Sequence, residues 1–263
     1  MGVLNVTPDS FSDAGEFFDK KKAYGRAVAM AREGADIIDV GGESTRPGAR
    51  PVHWKEEQKR VIPVIKALAR QKNVLISCDT SKYEVAAAAI EAGAHIINDV
   101  TALQADPRIA RECAQARTGI VLMHMRKNPL LMQRNPRYRD VIKEIRDFLA
   151  QRIDFARSRG IHFSQIAIDP GIGFGKTVTH NLAIINGLGE FARLGRPIVL
   201  GMSRKSFIGA ILGEKDPRAR VTGSIVAAVY AARKGANVLR VHDVAATRGA
   251  LRISEALYNE KVR

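Results

Sequence analysis

The sequence predicts an α/β fold, a (β/α)8 TIM barrel formed as a single domain by residues 1–263. Three observations predict it. Short apolar runs recur along the chain, helix-period segments lie between them, and the same glycine joint returns at the passage from helix to strand.

The apolar runs are GVLNV (2–6), DIIDV (36–40), VLISCD (74–79), HIINDV (95–100), GIVLMH (119–124), QIAIDP (165–170), PIVLGM (197–202) and NVLRVH (237–242). They are short and rich in Val and Ile, the pattern of parallel strands buried on both faces. Between them, KEEQKRVIPVIKALARQ and YRDVIKEIRDFLAQRIDFARSRG repeat apolar residues at three and four, as amphipathic helices do. The second ends on Gly160, a helix stop, and SKYEVAAAAIEAG and VTGSIVAAVYAARKG also end in glycine. EGADIIDV, EAGAHIIN and KGANVLRV lead from such a glycine into a strand, so one βα unit is used repeatedly. Eight strands alternating with eight helices in about 250 residues fit a closed barrel. An open doubly wound sheet is the alternative with the same alternation. The chain begins almost on its first strand, which is expected either to weaken that strand or to reflect a shortened start.

Composition narrows the function classes. Hydrophobic residues make up 46% of the chain, ample for a core, yet no run of about 18 uncharged apolar residues exists to span a membrane. MGVLNV has neither the basic nor the apolar part of a secretory signal, and Val6 stands where a myristoylation motif needs Ser or Thr. The expected location is cytoplasmic. Cys78 and Cys113 lack metal-ligand spacing and are expected to be reduced packing residues. The net charge of +15 suits nucleic acid, anionic lipid or small acidic substrates. Without a block of five like charges or interleaved aromatics, the expectation is no nucleic-acid partner.

Active sites of such barrels lie at the C-terminal ends of the strands. Here those ends carry Asn5, Asp39 with the GGESTR loop, Asp79, Asn98 with Asp99, His124, Asp169, Ser203 to Lys205, and Arg240 to His242. Buried charge is costly unless paired, and helix capping does not account for so many polar ends. Asp39 and Asp99 are the two expected to act as caps. Asp79, Asn98 and Asp169 form an acceptor set, and Arg46, Lys205, Arg240 and His242 a donor set. A ligand matching both has an aminopyrimidine-like edge and an anionic, phosphate-like end.

The segments GVLNVTPDSFSD, DVGGESTRPGA, SCDTSK, HIINDV, DPGIGFGK, GMSRKSFIG and RVHDV, in this order along almost the whole chain, resemble the dihydropteroate synthases, folate-pathway enzymes inhibited by sulfonamides. The family fold is a (β/α)8 barrel. The resemblance implies condensation of 6-hydroxymethyl-7,8-dihydropterin diphosphate with 4-aminobenzoate to give 7,8-dihydropteroate and diphosphate. It implies that Asp79, Asn98, Asp169 and Lys205 hold the pterin. Thr45, Arg240 and His242 are implied to meet the phosphates, and Asn5 to face Mg2+. Ser206 would meet the aminobenzoate carboxylate, and Met123 would pack on the pterin face. Asp79, Lys205, Arg46 and Asp13 are the implied catalytic set. Thr45, Arg46 and Pro47 are expected to close as a lid, together with the loop carrying Phe11 and Asp13. Family members are commonly dimeric, so a homodimer is expected. SFSD shows no insertion after Phe11, which predicts ordinary sulfonamide sensitivity.

PGIGFGKT mimics a phosphate-binding loop, but Pro170 stands where GxxxxGK[ST] needs glycine. His124 has no partners at zinc spacing and is expected to shape the barrel floor or the pterin pocket. Two rivals remain at this level. A folate-dependent methyltransferase or corrinoid partner needs the acceptors but not SRKS or STRPG. A silent pterin-binding or nucleic-acid-binding protein has only the positive charge in its favour.

Overall fold

The computed structural model describes residues 1–7, 16–44, 48–71, 73–127, 129 and 131–259, without the side chains of residues 16–20. Its parallel strands are β1 (Gly2–Asn5), β2 (Ile37–Gly41), β3 (Leu75–Asp79), β4 (Ile96–Asp99), β5 (Gly119–Met123), β6 (Ile166–Asp169), β7 (Val199–Gly201) and β8 (Val238–Arg240). Each lies inside one of the apolar runs or within a residue of it. β1 to β6 pair in sequence order and β7 pairs with β8. Parallel bridges Ile168↔Ile198 and Gly2↔Val241 join these two groups at both edges. The ring is therefore closed, and the open doubly wound sheet is excluded.

The stagger of the strands follows from their register. Asp39 is level with Ser77, and two residues further along β3 Asp79 is level with Asn98. Asn98 is level with Val121, and two residues on, Met123 is level with Asp169. The Ile168↔Ile198 bridge makes Asp169 level with Val199, and two residues on, Gly201 is level with Arg240. The Gly2↔Val241 bridge makes Arg240 level with Met1, and two residues on, Val3 is level with Asp39 again. Four climbs of two residues make a stagger of eight, the value for an eight-stranded barrel of this class. The expected weakness of β1 is not found. Val3 N–H donates to the Val241 carbonyl at 2.9 Å and Val241 N–H to Met1 at 2.9 Å, so β1 is held on both sides.

The helices are α1 (Glu16–Arg32), α2 (Trp54–Leu68), α3 (Tyr83–Glu91), α4 (Arg108–Ala116), α5 (Val141–Ser158), α6 (Val178–Asn186), α7 (Leu188–Ala192), α8 (Ser206–Leu212), α9 (Val221–Arg233) and α10 (Val244–Asn259). Strict alternation fails at two places, where α6 and α7 follow β6 and α8 and α9 follow β7. Gly187 ends α6 and opens α7 where a Cβ would collide with Ile142 of α5, so the chain bends at this contact.

Burial divides into two regions. The main core lies between the strands and the helices and includes both cysteines, free and buried as expected. Inside the barrel, Met1, Val121 and Val199 pack with Ile37, Ile96, Ala167 and Val238. Strand side chains alternate between faces, so these apolar residues fix which face points inward. The inward positions two residues further along β2, β4, β6 and β8 are Asp39, Asn98, Asp169 and Arg240. The barrel thus has an apolar base and a polar layer above it.

Candidate active site

The polar layer is tied together. Arg240 Nε donates to Asp39 Oδ2 at 2.6 Å and its Nη2 to Asp79 Oδ2 at 2.7 Å. Asn98 Nδ2 donates to the same Asp39 oxygen at 3.2 Å. Asp39 is fully buried, and Asp79, Asn98 and Asp169 are buried nearly as deeply. Asp39 Oδ1 and Ser77 Oγ, level with each other across β2 and β3, find no hydrogen-bond partner among the described residues.

Asp169 ends β6, and its Oδ1 accepts from Gly171 N–H at 2.7 Å. Lys205 ends the β7 turn opposite. The preceding residue, Arg204, has φ of 60°, a left-handed conformation that non-glycine residues seldom adopt. Arg204 pairs with Asp243 at 3.0 and 2.5 Å, whereas Lys205 donates to the Ile172 carbonyl and lies 4.4 Å from the centroid of Phe174. His242 Nδ1 lies 3.1 Å from Ser203 Oγ, joining the ends of β7 and β8.

These contacts and burial set the proton affinities. Burial pushes the Asp79 carboxyl up to about 7; Arg240 opposes the shift and Asp39 adds to it. Burial raises Asp169, with Lys205 as the main opposing charge. Burial pulls Lys205 down to about 8, although Asp169 favours its charged form. Burial also works against the charge on Arg240, but Asp39 and Asp79 outweigh it and hold Arg240 above its ordinary range. The mouth therefore holds an acid and a base of similar proton affinity beside a permanent cation, an arrangement suited to catalysis.

Asp79, Asn98, Asp169, Lys205, Arg240 and His242 all lie at the same strand-end mouth. Asn5 is half-buried at the end of β1, and Met123 is buried at the end of β5, level with Asp169. Ser206 is exposed at the first residue of α8. Phe11, Asp13, Thr45, Arg46 and Pro47 lie outside the described residues, as does the lid expected of them.

The two carboxylates expected to be caps separate. Asp99 caps the turn after β4 rather than a helix, accepting from Thr101 N–H and Leu103 N–H at 2.8 and 2.6 Å, while α4 begins later, behind Pro107. Asp39 caps neither, because its inward parity places it against Arg240 and Asn98. That parity, the same as Ile37 and Gly41, was the available signal. Sequence reasoning also missed Lys176. It is buried, with Nζ 3.0 Å from His124 Nδ1, and the alternating glycines before it gave no sign of an inward lysine. His124 lies between Lys176 and the Phe148 ring, 4.9 Å away, at the edge of the mouth. Burial and Lys176 keep its imidazole neutral, pulled down to about 2.

The family described as "Pterin binding enzyme" matches residues 1–242. A dihydropteroate synthase of Synechocystis is 46% identical over 98% of this chain and 89% of its own length, and that of Escherichia coli is 46% identical over 99% and 92%. The Xanthomonas albilineans dihydropteroate synthase with 4-aminobenzoic acid superposes with a TM-score of 0.93 at 45% identity, covering 99% of this chain and 93% of that one. The same enzyme with 7,8-dihydropteroate gives 0.90 at 43% identity, again covering 99% and 93%. The Yersinia pestis enzyme in a sulfonamide drug complex gives 0.92 at 43%, covering 98% and 94%. With the barrel, its polar mouth and these matches in agreement, the chain belongs to the dihydropteroate synthase family of pterin-binding enzymes.

Proposed function

We propose that residues 1–263 act as one pterin-binding unit that condenses 6-hydroxymethyl-7,8-dihydropterin diphosphate with 4-aminobenzoate, giving 7,8-dihydropteroate and diphosphate. The observation that carries this reading is the gathering of Asp79, Asn98 and Asp169 with the donors Lys205 and Arg240 in one mouth, where Arg240 bonds Asp79 at 2.7 Å.

Asp169 accepts two donors from the aminopyrimidine edge of the pterin, the neutral counterpart of an arginine–carboxylate fork. Lys205 keeps its bond to the Ile172 carbonyl and turns a second ammonium N–H to the pterin's acceptors, and Asn98 completes the rim. Met123 packs on the ring face. The C–O bond to the diphosphate breaks first, and its electron pair leaves with the phosphate. The electron-rich dihydropterin spreads the resulting methylene cation, and ionised Asp79 stabilises it from beneath. The amine of 4-aminobenzoate, its carboxylate held at Ser206, then forms the C–N bond and loses its extra proton to water. Arg240 and His242, with Thr45 and Arg46 of one loop, stabilise the departing charge, and Asp13 on the other loop completes the catalytic set. The loops carrying Phe11 and Pro47 close over the bound diphosphate.

Asn5 supports a Mg2+ site. Its amide oxygen is a hard donor at the open end of β1. Magnesium keeps several waters and is held largely by substrate phosphates, so a single amide oxygen would serve as an auxiliary ligand beside the diphosphate. Bound there, Mg2+ would neutralise diphosphate charge.

The reading extends to a homodimer in the cytoplasm. Among the described residues no helix is long and apolar enough to cross a membrane. Exposed Val226 and Tyr230 of α9 and Ile253 and Leu257 of α10 offer a second copy an apolar surface. Sedimentation of wild type against Leu257→Asp tests this surface, and a wild-type monomer would refute it.

The activity is tested by diphosphate release. Release is expected with both substrates and Mg2+, in step with dihydropteroate formation, and not with either substrate alone. No release from the complete mixture overturns the reading.

A further inference from the structure

Lys176 is a buried basic side chain with no place in the chemistry above. It closes the strap 170–176, which runs from the end of β6 to α6. Within the strap, Gly171, Gly173 and Gly175 all have positive φ, at 74°, 81° and 69°. A Cβ on Gly171 would collide with the His124 carbonyl oxygen, so the strap lies directly against the end of β5.

Lys176 Nζ reaches three groups. It donates to the Phe174 carbonyl at 3.0 Å and to the His124 carbonyl at 3.4 Å, and lies 3.0 Å from His124 Nδ1. The outer side of the strap is held by Gln133, which donates to the Gly173 carbonyl at 2.6 Å, and by Tyr138, whose hydroxyl donates to the Gly175 carbonyl at 3.0 Å. Asn181 accepts from Gly173 N–H at 2.8 Å. The face held by Lys176 bears the Ile172 carbonyl and the Phe174 ring, the two groups that meet Lys205.

We propose that Lys176 is a positioning residue, anchoring the strap to β5 so that Ile172 and Phe174 hold Lys205 in line with the pterin. This rests on the reading of Lys205 as a pterin donor. Burial pulls Lys176 well below the ordinary lysine range, which suits an internal tether better than a cation for the leaving diphosphate. The tether does not touch substrate and acts through the strap that holds Lys205.

The test is a double-mutant cycle on turnover, with Lys176→Met, Lys205→Met and the double variant, measuring kcat and both KM values. Misplacing a binding group by about 1 Å costs about a hundredfold. Lys176→Met is therefore expected to lower kcat/KM for the pterin diphosphate by about 10- to 100-fold, leaving KM for 4-aminobenzoate within about twofold. In the Lys205→Met background the same change should cost less than about threefold, because groups that act as a unit are not additive. An undiminished loss in that background overturns the proposal, as does an equal rise in both KM values. A lowered melting temperature with unchanged kinetic constants also overturns it. If Lys176→Met does not fold, Lys176→Gln, which keeps an amide donor, goes through the same cycle with the same criteria. Absence of wild-type turnover would defeat the proposed activity itself; wild-type turnover with additive losses defeats only the role of Lys176.

Discussion

Replacing Arg240 by methionine removes the cation that Asp39 and Asp79 share while keeping a side chain of comparable length. The two contacts are 2.6 and 2.7 Å, and the carboxylate side chains are 0% and 7% exposed. Breaking a buried ion pair by deleting one partner costs about 3–5 kcal/mol, because the remaining charge loses both partner and water. At about 2–4 °C per kcal/mol for a domain near this size, the melting temperature falls by about 6–20 °C. The loss depends on pH. Asp79 already sits near 7 with Arg240 opposing that rise. Without Arg240 the buried Asp79 carboxyl keeps its proton to higher pH than in the wild type. Proton binding favours the variant's folded state until that higher pKa is passed, so the deficit widens as pH rises above about 7. Denaturant unfolding of both proteins at pH 6 and pH 8.5 reads the difference directly. A pH-independent deficit below about 1 kcal/mol, the scale of an ordinary surface substitution, would refute the reasoning.

Further outcomes follow from the same geometry. If ionised Asp79 and protonated Lys205 are both required, kcat/KM for the pterin substrate falls below about pH 7 and above about pH 8, where these groups titrate. A profile flat from pH 6 to 9 contradicts that pair. Gly171→Ala combines a left-handed φ with a collision at the His124 carbonyl, so it should lower both melting temperature and activity. Gly235→Ala has φ of 109° but nothing near its Cβ, so it should lower stability alone, by about 1–3 kcal/mol. Equal effects on activity from the two would refute a working strap. A sulfonamide is expected to raise the apparent KM for 4-aminobenzoate without changing kcat; inhibition that excess aminobenzoate fails to reverse would contradict a shared pocket.

The fold was legible because each strand needs apolar residues on both faces, and several returns from helix to strand use a glycine. Gly34, Gly93 and Gly235, named by that pattern, all have positive φ. The splitting of helices after β6 and β7 was less legible, because it depends on a contact between Gly187 and Ile142, far apart in sequence. The polar strand ends identified Asp79, Asn98, Asp169, Lys205 and Arg240 as neighbours. Asp39 was misread because a carboxylate before a loop resembles a cap, and only its parity relative to the apolar base separates the two roles. Lys176 was invisible because lysine after a glycine-rich segment ordinarily faces water, whereas here the coiled strap turns it inward.

The central claim is that one mouth grips the pterin by its polar rim and holds the diphosphate with separate cations. Calorimetric titration of wild type and Asp169→Asn, first with a pterin lacking the diphosphate and then with diphosphate and Mg2+, tests it most directly. The account predicts that the variant loses the pterin by about a hundredfold or more, because a site built on hydrogen bonds rejects a mismatched partner strongly, and keeps the wild-type affinity for diphosphate. Unchanged pterin affinity in a folded Asp169→Asn protein would contradict it.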